Sequence, residues 1–336
     1  MTKFILRRLF FGLIVLFGVV LITFIVSRVV PSDPAAKWVG PRATQEQIAL
    51  ARIELGLDKP VYVQFWRYLT DLLSGNLGNS LRTRQPIISD LKSHLPATLE
   101  LVVISSLAAI LIGIPLGVVS ARNKGKIIDH FSRLFSVGVV SLPSFWIGLI
   151  LQLIFFRILG ILPIGGRLSI DTTLIMNVPN ITGFITIDSL ITGNIPLFLE
   201  AVWHLILPGF TIAMYPIGLV ARMTRSALLE ILGEDYITAA RSYGLKERTV
   251  VWSYALKNSI GPTSTVVALS IGYTLVNTFL VESIFAWPGI GNYIATAVTG
   301  NDYPAIMGVT IFSTIAYVFL NMIADIIVAL DPRVRV

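Results

Sequence analysis

An all-α integral membrane fold with six spanning helices is what this sequence predicts, and three observations predict it. The 336 residues are 54% hydrophobic and only 13% charged, where an ordinary soluble domain carries roughly 25% charged residues. The mean hydropathy of +0.79 is equally far from that of a soluble chain. Apolar runs of about 20 residues, long enough to cross a bilayer, recur six times. The net charge of +7 could suggest nucleic acid, but the cations sit beside apolar runs, as membrane topology requires. There is no cysteine, so disulfide frameworks and thiolate metal sites are excluded.

The expected spans are Leu9 to Val30, Pro96 to Ser120, Phe131 to Leu159, Leu199 to Met223, Ile260 to Phe285 and Tyr303 to Leu330. The first is preceded by Lys3, Arg7 and Arg8. Its apolar run exceeds the h-region of a secretory signal and no A-x-A-like site follows, so it is expected to stay as a membrane anchor. Arg122, Lys124, Lys126 and Arg133 lie between the second and third spans. Arg225, Arg241, Lys246, Arg248 and Lys257 lie between the fourth and fifth. The connection ESIFAWPGIGNYIATAVTGNDYP holds no Lys or Arg. Both termini are therefore expected in the cytoplasm. The long loops Pro31 to Leu95 and Gly160 to Phe198 fall outside.

Within the first outer loop, PSDPAAKWVGPRATQ reads as loop and ATQEQIALARIELGLDKP as a short helix ended by Gly and Pro. A second helix begins near Pro60, with Val61, Phe65, Leu69, Leu72 and Leu73 forming one apolar stripe. These helices are expected to pack as a cap over the outer membrane surface. Between residues 31 and 95 they make an extracytoplasmic subdomain, after an N-terminal segment 1–30. A membrane domain spans 96–330 and a cytoplasmic tail covers 331–336.

Several chemistries are excluded. The phosphate-binding pattern GxxxxGK[ST] is absent, since Gly125-Lys126 is followed by Ile127. His94, His130 and His204 form no ligand pair, and no G-x-S-x-G elbow occurs. The chain is expected to be no enzyme and to bind no metal or cofactor itself. An ion-driven carrier would bury an acid near the bilayer midplane. Here Glu100, Arg157, Glu200 and Asp325 all lie near span ends, where snorkelling or interfacial pairing accounts for them. The span middles hold Pro115, Pro143 and Pro216, and on the fifth span Ser270, Thr274, Asn277 and Thr278. These four are the candidate lining of a translocation path; close helix packing is the competing use of such residues.

About thirty-five residues separate the fourth and fifth spans, more than a turn needs. In SALLEILGEDYITAARSYGLKERTVVWSYALKNSIGP, Gly233 breaks one helix and Glu234 with Asp235 opens another, where acids suit the helix dipole. Tyr236, Ala239 and Ala240 share a face, and Gly244 can end the helix in a left-handed conformation. Small residues on an exposed face suggest close approach by another protein.

This segment resembles the EAA loop of binding-protein-dependent ABC importer permeases. Thr238-Ala239-Ala240 and Arg241-Ser242-Tyr243 precede Gly244, and Tyr254-Ala255-Leu256-Lys257 falls at the family's closing I-x-L-P position. Thr238 replaces the acid, and Tyr254 and Lys257 replace Ile and Pro, a form similar to that of the dipeptide and oligopeptide permease branch. LRRLFFGLIVLFGVVLITFIVSRVVPSDPA, LGLDKPVYVQFWRYLTDLLSGNLGNSLRTRQPI, VESIFAWPGIGNYIATAVTGNDYPAIMG and LDPRVRV extend the resemblance over the whole chain.

The resemblance implies a MetI-like permease core of five helices with the first span added outside it. It implies a coupling loop at about 225–258, with Asp235, Tyr236, Thr238, Ala239, Ala240, Arg241, Gly244 and Leu245 contacting an ATPase. Implied partners are a second, similar permease chain, two cytoplasmic ATPase subunits that bind ATP and Mg, and an extracytoplasmic substrate-binding protein. The implied cargo is di- or oligopeptides, with oligosaccharides or nickel chelates as alternatives. The implied location is the cell membrane.

Overall fold

The computed structural model describes residues 2–29, 33–40 and 42–330. The tail 331–336 and the centre of the PSDPA turn lie outside the described residues, as does the side chain of Asp325. Among the described residues the chain is helical, with no β-structure beyond an isolated bridge between Asn79 and Pro86. Helices suit a bilayer because they satisfy their own backbone groups where no water can.

The chain divides into two compact units, Met1–Leu95 with Tyr293–Val318, and Pro96–Asn292 with Phe319–Val336. The first contains α1 (Thr2–Val29), α2 (Pro34–Val39), α3 (Gln45–Glu54) and α4 (Val61–Leu73). The α2 segment overturns the expectation of a loop there. Asp33 caps it by accepting from the amides of Ala35 and Ala36, and Pro34 fits the first turn because its missing N–H is not needed there. In α3, Thr44 and Gln47 form a reciprocal capping box, and Gly56 follows at φ 65°. The apolar stripe of α4 is only partly covered. Phe65 meets Phe17 and Phe24 of α1 at ring separations of 6.4 and 5.1 Å, and Tyr68 stacks on Phe24 at 5.8 Å. Val61 and Leu73 stay exposed, and no α4 residue is fully buried. So α4 leans on the first span by its middle.

The second unit holds most of the remaining helices, while the start of α5 (Ile87–Ala108) and much of α15 (Ile290–Thr299) and α16 (Tyr303–Leu330) belong to the first. The α5 helix passes through a π-bulge at Ala109–Gly113 into α6 (Ile114–Arg122). The bulge lies just before Pro115, whose ring and missing N–H disturb the regular ladder. The expected third span, Phe131 to Leu159, is not one helix. It is α7 (Ile127–Ser141) and α8 (Ser144–Leu151), the latter extended by π-turns to Ile158, bent by 109° at the break. Leu142 is driven to extended geometry, φ −91° and ψ 140°, by Pro143 after it. Short helices α9 (Ile170–Ile175) and α10 (Ile185–Ile191) follow.

Then α11 (Ile195–Ile231) runs 37 residues through Pro208 and Pro216. After it come α12 (Asp235–Ser242), α13 (Glu247–Thr249), π-turns at Val250–Ala255 and α14 (Leu256–Ile284). The chain ends with α15 (Ile290–Thr299) and α16 (Tyr303–Leu330). Among the described residues five helical stretches are long and apolar enough to cross a membrane, or six if the bent pair counts as one span.

Carboxylates fasten the segment 160–194 to this unit. Glu100, 2% exposed, accepts from Arg167 and from the amide and hydroxyl of Thr186. Glu200 accepts from the Ser169 amide at 2.8 Å and the Thr172 hydroxyl at 2.7 Å. Asp188 accepts from the amides of Ile181, Thr182 and Gly183 and from the Thr182 hydroxyl. Burial pushes the Asp188 pKa up, but those bonds together outweigh it and leave the carboxyl below its ordinary value. Near the end of α14, buried Glu282 accepts from the amides of Gly291 and Asn292 at the start of α15. A Cβ at Gly289 would collide with that carboxylate, so a side chain there would require Glu282 to shift.

Candidate functional site

The helix α12 starts where α11 ends at a turn containing Gly233. It is docked on its own chain by Ile237, fully buried, and Ala240, 7% exposed. These pack with Val118, Ala121, Leu228, Val250, Val251 and Ala255. Ala240 therefore does not belong to the outward face that the sequence suggested. A helix of eight residues needs an anchoring side, and Ile237 with Ala240, three residues apart, supplies it.

Outward remain Asp235, Tyr236, Thr238, Ala239 and Arg241. Tyr236, Ala239 and Tyr243 follow one another at i, i+3 and i+7, with Tyr243 88% exposed. Two polar links steady this surface. Asn258 donates to the Tyr236 hydroxyl at 3.0 Å. Arg241 donates to Glu247 at 2.9 and 3.2 Å, and that carboxylate raises the guanidinium pKa further. Gly244 ends the helix at φ 78°, with its amide bonded to Arg241 O and the Leu245 amide to Ala240 O. Leu245 is 38% exposed beside it.

The four hydroxyl and amide residues of the fifth span divide into two pairs. Thr274 and Asn277 line a cavity of about 230 Å³, whereas Ser270 and Thr278 do not. All four bond back to carbonyls of their own helix, Ser270 to Val267, Thr274 to Ser270, Asn277 to Tyr273 and Thr278 to Leu275. That arrangement lets a polar side chain sit in an apolar helix without a further partner.

The cavity opens beside the break between α7 and α8, and Pro143 and Phe145 contribute to its wall. Tyr215 and Tyr273 stack across it at 4.3 Å and 25°. Sequence reasoning missed this pair, because pairing needs the register of α11 against α14. It also left Glu100 and Glu200 as snorkelling or interfacial groups, and they are inward-facing pins. Arg157 is exposed. Among the described residues no cluster of His, Cys, Asp and Glu could hold a metal ion.

A multi-pass helical membrane protein with a short exposed helix between two of its long apolar helices is the class that this fold and site define. A profile described as "Binding-protein-dependent transport system inner membrane component" matches residues 113–336. The corresponding N-terminal component matches residues 1–102. The chain belongs to the family of binding-protein-dependent transport system inner membrane components.

It is 43% identical over 334 residues to the probable D,D-dipeptide transport system permease protein DdpB of Escherichia coli strain K12, covering 98% of this chain and 97% of the relative. It is 40% identical to the di/tripeptide transport system permease protein DppB of Pseudomonas aeruginosa strain UCBPP-PA14, over 100% and 99%. It is 32% identical to the glutathione transport system permease protein GsiC of Salmonella paratyphi A, over 100% and 99%. As a component of such a system the chain is a membrane transport subunit and not an enzyme, and ATP is handled by partner ATPases.

Proposed function

We propose that this chain forms one half of an ATP-driven import path for short peptides. The observation that carries the docking part of this reading is the outward Tyr236–Ala239–Tyr243 face of α12, which its own chain leaves uncovered. Peptide cargo is supported by relatives whose names specify D,D-dipeptides, di- and tripeptides and glutathione. The positive loops at 122–133 and 225–257 support cytoplasmic termini.

The permease domain, residues 96–330, pairs with a second homologous permease chain. Two ATPase subunits dock from the cytoplasm, and a substrate-binding protein delivers cargo from outside. Asp235, Tyr236, Thr238, Ala239, Arg241, Gly244 and Leu245 form or frame the ATPase contact, while Ala240 holds the helix from behind. Thr274 and Asn277, with Tyr215 and Tyr273, line the path; Ser270 and Thr278 serve the packing of α14. ATP binding closes the ATPase pair and displaces α12, and the permease helices respond.

Coupling of this kind is reciprocal, because both ligands bias the same two-state element. Peptide-loaded binding protein on the outside therefore stimulates hydrolysis inside. The complex reconstituted in nanodiscs tests this, through ATPase rates with empty and loaded binding protein, alongside dipeptide uptake in proteoliposomes. Equal rates and no uptake would refute the reading.

A further inference from the structure

The Asp129 carboxylate does more than the charge of a cytoplasmic loop requires. It is 1% exposed and accepts from three residues on separate stretches of chain. Arg225 of α11 donates to it through Nε at 2.7 Å and Nη2 at 2.9 Å. Ser120, near the end of α6, donates at 2.7 Å, and the amide of Gly125 in the following turn donates at 2.9 Å. Arg133 Nε approaches Oδ1 at 3.8 Å. One carboxylate thus gathers the end of α6, the turn, the start of α7 and the cytoplasmic part of α11. A bidentate Arg–carboxylate pair fixes orientation as well as distance.

A second attachment lies further along the same two helices. Gly218 of α11 sits so close to α7 that a Cβ there would fall 2.6 Å from Val139 Cγ2 and 2.8 Å from Ser136 O. Two points of attachment prevent α7 from sliding or rotating against α11. The far end of α7 is the Leu142–Pro143 break, which carries no continuous helical ladder across it. Val139, Val140, Leu142 and Pro143 are also wall residues of the cavity. At its other end α11 continues through a short turn into α12.

We propose that the Asp129–Arg225 clamp makes α7 travel with α11 and α12, so that displacement of the docking helix reaches the cavity wall at Pro143. Asp129 and Arg225 are positioning residues: they touch neither nucleotide nor cargo. The flexible joint is the Leu142–Pro143 break, and the cavity changes shape there because Val139, Val140 and Leu142 on the α7 side move about the joint relative to Ser144, Phe145 and Ile147 on the α8 side. This inference rests on the reading of α12 as the ATPase-docking helix.

The test uses the whole complex in nanodiscs. The chain has no cysteine, so Leu134→Cys on the exposed side of α7 and Glu234→Cys at the start of α12 can carry a spin-label pair. With the clamp intact, the distance between the labels stays the same in nucleotide-free and vanadate-trapped states. With Asp129→Asn added it differs between the two states. In that variant stimulation by loaded binding protein falls about tenfold, with assembly and unstimulated ATPase retained.

A label distance that changes with the clamp intact overturns the proposal, as does full stimulation in Asp129→Asn. If Asp129→Asn fails to assemble, Arg225→Lys decides by the same distance, since lysine keeps the charge but cannot make the two-pronged bond. An invariant distance in Arg225→Lys then overturns the proposal. Mobility of the Glu234→Cys label, measured with and without the ATPase subunits, separates the two readings. No difference there removes the docking role of α12 and this proposal with it, whereas a difference together with a changing label distance removes the clamp alone.

Discussion

The helix α12 and the segment 160–194 belong to the same compact unit, yet they handle their polar groups in opposite ways. At the segment, its own Asp188 together with Glu100 of α5 and Glu200 of α11 turn inward and are satisfied by Arg167, backbone amides and threonine hydroxyls, while Ile170, Leu174 and Ile175 stay 77 to 82% exposed. In α12, two small apolar groups turn inward, and the tyrosines and charged groups face out. Buried carboxylates with full sets of donors make a rigid element, because each donor lost leaves an uncompensated charge. A shallow apolar anchor such as Ile237 with Ala240 holds position but resists displacement less. The contrast separates a fixed part of the protein from one suited to being moved by a partner.

The largest effect expected from breaking this contrast is on the rigid side. Glu100→Ala leaves Arg167, only 14% exposed on its side chain, without its counter-ion, and should cost about 3–5 kcal/mol. Thermal unfolding of the purified chain in detergent measures it, and a change below about 1 kcal/mol would mean that the pin is not rigid.

The next test sets the neighbouring alanines of α12 against each other. Ala240→Trp overpacks the anchor and should cost about 1–3 kcal/mol of stability. Ala239→Trp should leave stability unchanged and weaken ATPase binding about tenfold or more, read by co-purification and titration of the subunits; one kcal-scale clash at an interface suffices for that. Equal stability losses in both variants would erase the distinction between the two faces.

Gly244 sharpens the comparison at the helix end. Open space surrounds its Cα, so strain comes from φ 78° alone. Gly244→Val should cost about 1–2 kcal/mol locally and reduce coupled transport, whereas Gly244→Asn, which tolerates the left-handed region, should retain most of it. The smallest effect belongs to the exposed pair of Arg241 and Glu247, both 42% exposed on their side chains. Arg241→Gln should change stability by about 0.2–1 kcal/mol, less at high salt.

The legible parts of this protein were those written in short-range pattern. Glycine and proline signals predicted α3 and the end of α12, and the apolar runs marked the candidate spans, the third of which folds in two pieces. Where pattern and structure parted, a local rule had been outweighed or overlooked. Asp33-Pro34 is a helix start that was passed over as loop. Pro143 was recognised as a mid-span proline, but its consequence, a 109° bend, depends on what packs around it. Ala240 was assigned by helical spacing to the same face as Ala239, and spacing alone does not say which side meets the core. Asp129 and Arg225 lie 96 positions apart; by itself Arg225 reads only as a loop cation, and nothing in the local pattern singles out Asp129.

Composition, apolar periodicity and the glycine at 244 were enough to establish a helical membrane protein with a short separate helix between its fourth and fifth apolar runs, because those properties follow from forces acting within a few residues. Which face of α12 is free, which carboxylates are pinned, where the third crossing bends and which tyrosines stack were decided by tertiary packing. Those outcomes depend on the register of one helix against another, and register is set by contacts between residues that the linear order keeps far apart.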